Sequence, residues 1–280
     1  MSAHPQGGAH IARLPDGREL FYRELPGGGP TVVFEAGRGA TRSTWGLVQP
    51  PVGVRVRAVA YDRSGLGASP ATAGPRRLQA LATDLGALLD HLGDGPFVLV
   101  GHSWGGPVVR LAAAARPDRV RGLVLVDPTD EACPGYFTPR FASREVTQNR
   151  LLPPIARTGL LRRAFAPALR ALPPVVRAEA RAESYTPAAV ATLVAEGEAT
   201  VADLQALLDA PPDLGDLPVT VVSGTRAAGL GRRNRAELVE AHASRASTSP
   251  HGRHVRAERS GHLVMLTEPE LLVSEIARFS

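Results

Sequence analysis

Lysine is absent from this 280-residue chain, so all 32 of its basic residues are arginines. With 27 acidic residues, the formal net charge is +5 and the isoelectric point is about 10.2. Aromatic residues make up only 5% of the chain, and no basic run is interleaved with them, which argues against a nucleic-acid-binding module. Arginine is abundant together with glycine and proline, so a coding bias explains its excess better than a polyanionic partner does. We therefore expect no nucleic-acid partner.

Cysteine is almost as scarce as lysine, and Cys133 is the only cysteine of the chain. No intrachain disulfide can form, which is compatible with a reducing compartment. A membrane-spanning helix needs about 20 consecutive apolar residues, and no run in this sequence approaches that length. Residues 1–8 also lack the apolar segment of a secretory signal. These absences predict a cytoplasmic protein without a membrane partner. The length favours one large domain, or a domain with an inserted subdomain.

What is present is an alternation of short apolar runs with helical patterns. Strands are predicted at residues 31–34, 54–61, 97–100, 120–126, 217–223 and 254–258. An Asp-Gly pair at residues 16–17 predicts a hairpin near the N-terminus. This alternation is typical of a parallel sheet with helices on both faces, where sites gather at the carboxyl ends of the strands.

The alternation stops between about Thr129 and Gly215, where no convincing strand is found. Proline pairs punctuate short helical stretches there. Thr186 and Pro187 are typical of an N-cap and a first helical residue, opening a helix toward Asp209. We expect residues 130–215 to form a helical cap, and residues 1–129 and 216–280 to form the core. A loose linker is the alternative.

The strand at 97–100 runs into Gly101-His102-Ser103-Trp104-Gly105-Gly106, and a helical pattern follows. A strand, a Gly-x-Ser-x-Gly turn and a helix together form a nucleophile elbow. The two flanking glycines let backbones approach closely, while the turn lifts the serine hydroxyl out of the sheet at a helix N-terminus. Ser103 is therefore the candidate nucleophile. The alternative is a Gly-rich turn with an inert serine.

A serine hydroxyl needs an adjacent base to act as a nucleophile at neutral pH. Of the eight histidines, only His262 follows the last predicted strand at its carboxyl end. His102 neighbours Ser103, but adjacent strand residues point to opposite faces, so a structural role is expected for it. His262 is the predicted base.

These motifs resemble those of α/β-hydrolase-fold serine hydrolases. The resemblance covers about residues 10–129 and 216–280. It is carried by residues 36–39 (Ala-Gly-Arg-Gly), 62–69 (Asp-Arg-Ser-Gly-Leu-Gly-Ala-Ser), 101–106 (Gly-His-Ser-Trp-Gly-Gly) and 260–262 (Ser-Gly-His). It implies an α/β-hydrolase fold, with a mostly parallel twisted sheet flanked by helices and an inserted helical cap. Relatives that open epoxides or remove halogens carry an aspartate at the elbow, so Ser103 argues against those two reactions.

The third member of a triad is a carboxylate that orients the imidazole. Most relatives place it after the strand that corresponds to residues 217–223, but residues 223–231 contain no acid here. Some relatives carry it about 24 residues beyond the nucleophile, after the preceding strand, and that position is Asp127. Asp130 is the first alternative, and a missing or unrecognised acid is the second.

The resemblance also assigns an oxyanion hole to the backbone N–H groups of Trp104 and Arg38. The Arg38 guanidinium either holds an acidic group of the substrate or is simply solvated. Glu35, beside this loop, is expected to pair with Arg38 or Arg63 rather than to be catalytic. Neither a phosphate-binding loop nor a metal-ligand spacing is found in the sequence, so no cofactor and no metal are expected.

The predicted reaction is hydrolysis of a small or medium carboxylic ester or lactone through an acyl-enzyme. A first alternative is an amidase or N-terminal aminopeptidase, for which an acidic cap residue would bind the substrate amine. The candidates for that residue are Glu179, Glu183, Glu196 and Glu198. A second alternative is a ligand-binding protein without catalysis. The sequence does not fix the oligomeric state.

Overall fold

In a computed structural model of the chain, which describes residues 3–227 and 231–279, eight strands form one sheet in the order β1-β2-β4-β3-β5-β6-β7-β8. The strands are β1 (Gly8–Arg13), β2 (Glu19–Leu25), β3 (Thr31–Glu35), β4 (Ala58–Tyr61), β5 (Phe97–His102), β6 (Val120–Val126), β7 (Val219–Gly224) and β8 (Gly252–Ala257). Pairing is antiparallel from β1 to β2 and from β2 to β4, and parallel elsewhere. This confirms the predicted fold class and the N-terminal hairpin.

Eleven α-helices are found in the described ranges. They are α1 (Gln49–Gly53), α2 (Leu78–Leu92), α3 (Gly105–Ala114), α4 (Pro139–Arg157), α5 (Leu160–Phe165), α6 (Pro174–Glu183), α7 (Pro187–Gly197), α8 (Thr200–Asp209), α9 (Gly231–Ser247), α10 (Val264–Thr267) and α11 (Pro269–Ile276). None of them has the length and apolar character needed to cross a membrane.

The central strands are buried on both faces, which explains their continuous apolar runs. Val33 and Leu99 lie in one cluster with Leu85 of α2. Val32 and Val98, one residue earlier in each strand, lie in a second cluster on the other face, with residues of α1, α10 and α11. The two-residue period of a strand thus divides one apolar run between two cores.

Two predicted boundaries were wrong. The strand expected at 54–61 begins at Ala58, because Val54 adopts a helical conformation after α1 and is 84% exposed. The helix expected from Pro187 to Asp209 is two helices, α7 and α8, separated at Glu198 and Ala199. Its predicted start is confirmed, because the Thr186 side chain accepts a hydrogen bond from the backbone N–H of Ala189. Part of the acid-free stretch 223–231, namely residues 228–230, lies outside the described residues.

Helices α4 to α8, residues 139–209, lie between β6 and β7, and we call them the helical insertion. Within the described residues, every arginine–carboxylate pair that joins the insertion to the rest of the chain has the same polarity. The acid comes from the insertion and the arginine from elsewhere. The pairs are Arg23–Glu179, Arg38–Glu145, Arg42–Glu179, Arg42–Glu183, Arg63–Glu196, Arg76–Glu196 and Arg77–Asp203. The division into a core and a cap domain stays a prediction.

Candidate active site

Ser103 lies in the turn between β5 and α3 with a backbone φ of 51°. A non-glycine residue rarely adopts this left-handed conformation, and such strain concentrates at functional sites. The turn is tight: a Cβ on Gly105 would lie 2.7 Å from the carbonyl oxygen of Ala36. The predicted strand–turn–helix around Ser103 is therefore present, and glycine is required at position 105 by close backbone approach.

Sheet register brings Ser103 next to Asp127. His102 of β5 pairs with Val126 of β6, so the residues that follow this pair leave two neighbouring strands at the same edge. The backbone N–H of Ser103 donates to the Val126 carbonyl at 3.1 Å. Parallel pairing thus explains why a residue 24 positions beyond the serine lies beside it.

Asp127 also has a left-handed backbone, with φ 43°, and it is completely buried. Its carboxylate accepts hydrogen bonds from the backbone N–H of Gly224 at 3.0 Å and from Nδ1 of His262 at 2.6 Å. Burial opposes ionisation, but the His262 hydrogen bond and the positive charges of His262 and Arg235 outweigh it and lower the pKa of Asp127 to about 2. The carboxylate is therefore ionised at any ordinary assay pH.

Arg235 of α9 is the second cation on this carboxylate, and sequence reasoning missed it. Its Nη1 lies 2.6 Å from Oδ1 and 2.8 Å from Oδ2 of Asp127. Arg235 follows Asp127 by 108 residues in a helix rich in arginine, so no local pattern marks it.

His262 follows β8 in the loop before α10, and its side chain is 47% exposed. Its ring lies against that of His102, with centroids 4.6 Å apart. Nε2 of His102 lies 3.0 Å from the backbone carbonyl of His262, which can only accept, so Nε2 carries the proton. Burial and the nearby His262 charge lower the pKa of His102 to about 3, so His102 stays neutral. Through the hydrogen bond of its Nε2, His102 holds the loop that carries His262, which is a structural role.

The Ser103 hydroxyl donates no hydrogen bond to any described residue, and the only side-chain hydrogen bond of the His262 ring is to Asp127. The hydrogen bond between Ser103 and His262 that a serine nucleophile would use is therefore not formed between these described residues. Catalytic hydrogen bonds are often long before substrate binds, so its absence does not argue against the pair.

Asp130, the alternative acid, has a different partner. Its carboxylate lies 3.0 Å from both Nε and Nη2 of Arg245 and accepts the backbone N–H of Ala132. It makes no hydrogen bond to His262 in the part of the chain that the structure describes. Of the two candidate acids, only Asp127 contacts the imidazole.

Residues 36–39, which we call the oxyanion loop, run beside Ser103 after β3. A Cβ on Gly37 would lie 3.2 Å from the Ser103 Cβ. Between described residues, the backbone N–H groups of Arg38 and Trp104 donate no hydrogen bond, so both donors remain available to a ligand. The Arg38 side chain is not solvated, because Glu145 of α4 accepts its Nη1 at 2.5 Å.

Glu35 pairs with Arg63, one of the two partners expected for it. It also accepts a hydrogen bond from the Tyr61 hydroxyl. Burial raises the pKa of Glu35. Arg63 in turn donates to the carbonyl oxygens of Ala36 and Gly37, at 2.7 Å each. The Arg63 guanidinium thus holds the first half of the oxyanion loop.

Comparison with known proteins agrees with the fold. The model of the alpha/beta hydrolase family matches residues 32–275. The chain belongs to the alpha/beta hydrolase family. Lipase LipV of Mycobacterium tuberculosis is 55% identical to this chain over 69 residues. These residues are 25% of this chain and 26% of the length of the lipase.

Two solved structures cover nearly the whole of this α/β hydrolase. A thermophilic esterase from Thermogutta terrifontis is 25% identical, with a TM-score of 0.72 over 98% of both chains. Epoxide hydrolase CorEH is 21% identical, with a TM-score of 0.74 over 97% of this chain and 98% of the other. The fold is thus shared with hydrolases of different chemistry. The family match supports a hydrolase.

A second buried hydrogen-bond chain lies behind Asp127 in this α/β hydrolase. Nε2 of His242 lies 2.7 Å from the Pro128 carbonyl, so Nε2 is the donor. The Ser223 hydroxyl lies 2.8 Å from Nδ1 of His242 and 2.8 Å from Nε2 of His254. Burial lowers the pKa of His242, so this ring is uncharged at neutral pH. The nearby Tyr136 also stays protonated, because burial raises its pKa. The basic side chains that contact the Asp127 carboxylate directly are His262 and Arg235, among the described residues.

We expect Arg235→Gln to move the acid limb of kcat/KM upward by about one pH unit. Arg235 shares the Asp127 charge and repels a protonated imidazole, so its removal is expected to stabilise the protonated form of His262, the predicted base. Arg235→Lys keeps the positive charge and is expected to keep the acid limb close to that of wild type. The measurement is a pH profile of kcat/KM for a model hydrolase substrate.

Arg233→Gln is the matched control, because Arg233 lies two residues away in α9 and pairs with Glu237 at an exposed position. Its acid limb is expected to coincide with that of wild type. If the acid limb of kcat/KM were unshifted in Arg235→Gln, Arg235 would have no role in setting the charge of the His262–Asp127 pair.

Proposed function

We propose that this α/β hydrolase cleaves a small or medium carboxylic ester or lactone through an acyl-enzyme. Ser103 is the proposed nucleophile, His262 the base and Asp127 the orienting acid. The observation that carries the proposal is the 2.6 Å contact between His262 Nδ1 and the buried Asp127 carboxylate, beside a serine in a left-handed turn. This arrangement supplies what a hydroxyl nucleophile lacks, namely an oriented base.

The proposed reaction has two steps that use the same groups. The hydroxyl of Ser103 attacks the ester carbonyl while Nε2 of His262 takes its proton, and the alcohol leaves with that proton. His262 then activates water, which attacks the acyl-enzyme and releases the acid. In both steps the N–H groups of Trp104 and Arg38 donate to the oxyanion, and Asp127 stabilises the charged imidazole.

The hydrogen bonds of Asp127 support this assignment of roles. Because its Oδ2 accepts Nδ1–H of His262, Nε2 is left without a proton and can accept one. A carboxylate that stays ionised is also the partner that a developing imidazolium needs. Gly224 and Arg235 fix the carboxylate from two further directions, so its orientation is held before substrate binds.

The aminopeptidase alternative needs a free acid for the substrate amine. Glu179 and Glu183 pair with Arg42, and Glu196 pairs with Arg63 and Arg76. These three acids already pair with arginines, and of the four candidates only Glu198 is left, on an exposed part of the helical insertion. The ion pairs therefore favour an ester or lactone over an N-terminal peptide bond.

The test is hydrolysis of p-nitrophenyl esters of increasing acyl length, of lactones and of aminoacyl anilides by the wild-type protein. We expect turnover of short and medium esters or of lactones, and little turnover of the anilides. Faster cleavage of the anilides would favour the aminopeptidase alternative. Binding of these compounds without turnover would favour the non-catalytic alternative.

A further inference from the structure

Glu196 of α7 is completely buried, although it is a carboxylate of the helical insertion. Its Oε1 accepts Nε of Arg63 at 2.8 Å and Nη2 of Arg76 at 3.0 Å. Its Oε2 accepts Nη2 of Arg63 at 2.9 Å and the backbone N–H of Gly39 at 3.0 Å. Burial opposes ionisation, but the Arg63 charge and hydrogen bonds outweigh it and lower the pKa of Glu196. The residue is therefore a fully satisfied carboxylate whose partners include the oxyanion loop itself.

Glu196 reaches that loop in two ways. It binds Gly39 directly, at the end of the loop. It also holds the Arg63 guanidinium, whose Nη1 and Nη2 bind the carbonyl oxygens of Ala36 and Gly37. The peptide groups on both sides of Arg38 are thus fixed by one buried carboxylate and its arginine.

The Arg38 N–H and the Gly37 carbonyl belong to the same planar peptide group. A contact that fixes the Gly37 carbonyl therefore also fixes the direction of the Arg38 N–H. Gly39 has a φ of 67°, so the chain turns sharply there, and the backbone N–H of Ala40 closes the turn on the Gly37 carbonyl at 3.1 Å. The Gly39 N–H ties this turn to Glu196 of α7. An oxyanion donor contributes through its position before reaction, and a displacement of about 1 Å can cost roughly 100-fold in rate.

We propose that Glu196 is a positioning residue of the active site: it holds the oxyanion loop in the conformation that aims the Arg38 N–H at the reacting carbonyl oxygen. This inference rests on the proposed function of Ser103. It gives the helical insertion a part in the chemical step, in addition to any role in covering the site.

Glu196→Gln tests the proposal, because the amide keeps the size of the side chain but removes its charge and an acceptor. We expect kcat for ester hydrolysis to fall by about 10- to 100-fold, with KM within about threefold of wild type, since the oxyanion develops only in the transition state. The inhibition constant of a trifluoromethyl ketone, whose adduct carries an oxyanion, should rise by a similar factor.

Glu183→Gln is the matched control. Glu183 also joins the insertion to a buried arginine, accepting Nη1 and Nη2 of Arg42 at 3.0 and 2.9 Å, but neither residue contacts the oxyanion loop. A general loosening of the insertion would affect both variants alike. We expect kcat of Glu183→Gln to stay within about threefold of wild type, as for a charge away from the reacting atoms.

A second variant and a second measurement keep the test decisive if Glu196→Gln does not fold. Glu196→Asp retains the charge but is one carbon too short to bind both Arg63 and Gly39, and an intermediate fall in kcat is expected. Hydrogen exchange of a peptide covering residues 36–40 should be faster in either Glu196 variant than in Glu183→Gln.

Equal kcat and equal exchange in the Glu196 and Glu183 variants would overturn the positioning role. A wild-type protein without Ser103-dependent turnover would contradict the proposed function instead. The two failures are therefore distinguishable.

Discussion

Replacing Ser103 by alanine is expected to abolish labelling by a fluorophosphonate probe and to lower kcat by a factor on the order of 10⁴ to 10⁶. The probe reacts only with an activated hydroxyl, and the turn between β5 and α3 presents this hydroxyl at the edge of the sheet where the His262–Asp127 pair lies. Labelling of wild type, followed by mass spectrometry of the labelled peptide, would place the adduct on Ser103.

Alanine removes only the Oγ atom, so the stability of the variant should change little. The left-handed backbone at residue 103, with φ 51°, is equally unfavourable for serine and alanine. The matched control is Ser64→Ala, which removes a serine hydroxyl, in this case a buried one, from a loop that follows a sheet strand, β4. Undiminished labelling of Ser103→Ala would exclude Ser103 as the nucleophile.

The second large effect is expected for Asp127→Asn, which should lower kcat by a factor of about 10⁴, as loss of the triad carboxylate does where the roles are established. The amide cannot stabilise an imidazolium, and its NH₂ group favours the wrong tautomer of His262. The variant also leaves Arg235 without its carboxylate partner. Steady-state kinetics at several pH values measure the effect.

Asp130→Asn is the control that separates this role from simple loss of a buried acid. Asp130 is 1% exposed and bound to Arg245, so its substitution also breaks a buried ion pair. We expect its kcat to remain within a few-fold of wild type. The opposite result, with Asp130→Asn inactive and Asp127→Asn active, would assign the acid role to Asp130.

Much of the arrangement around Ser103 could be predicted because its causes are local. Apolar runs define strands, glycines allow the turn, and parallel strands bring their carboxyl ends to one edge. Asp127 was predicted in a different way, because the resemblance implies an acid about 24 residues beyond the nucleophile; in the structure that residue follows β6, the strand next to β5.

The partners that hold these residues could not be predicted in the same way. Arg235, Arg63 and Glu196 act through pairs separated by 108 and 133 positions. Each is an ordinary charged residue of a helix or loop in a chain with 32 arginines and 27 acids. Choosing the right pairs requires knowing which elements pack together, and periodicity does not contain that information.

The one-way polarity of the ion pairs between the helical insertion and the rest of the chain has a consequence for protein engineering. Grafting the insertion of another hydrolase onto this sheet would leave the buried Arg76 without its acid, Glu196, unless the new segment brought one. Arg42 and Arg63 would lose the carboxylates of the insertion and keep only Asp62 and Glu35. Uncompensated buried charge is far more costly than lost apolar contact. The insertion and the loops beneath it are therefore exchangeable only as one matched set, and variation at these positions is expected to occur in pairs.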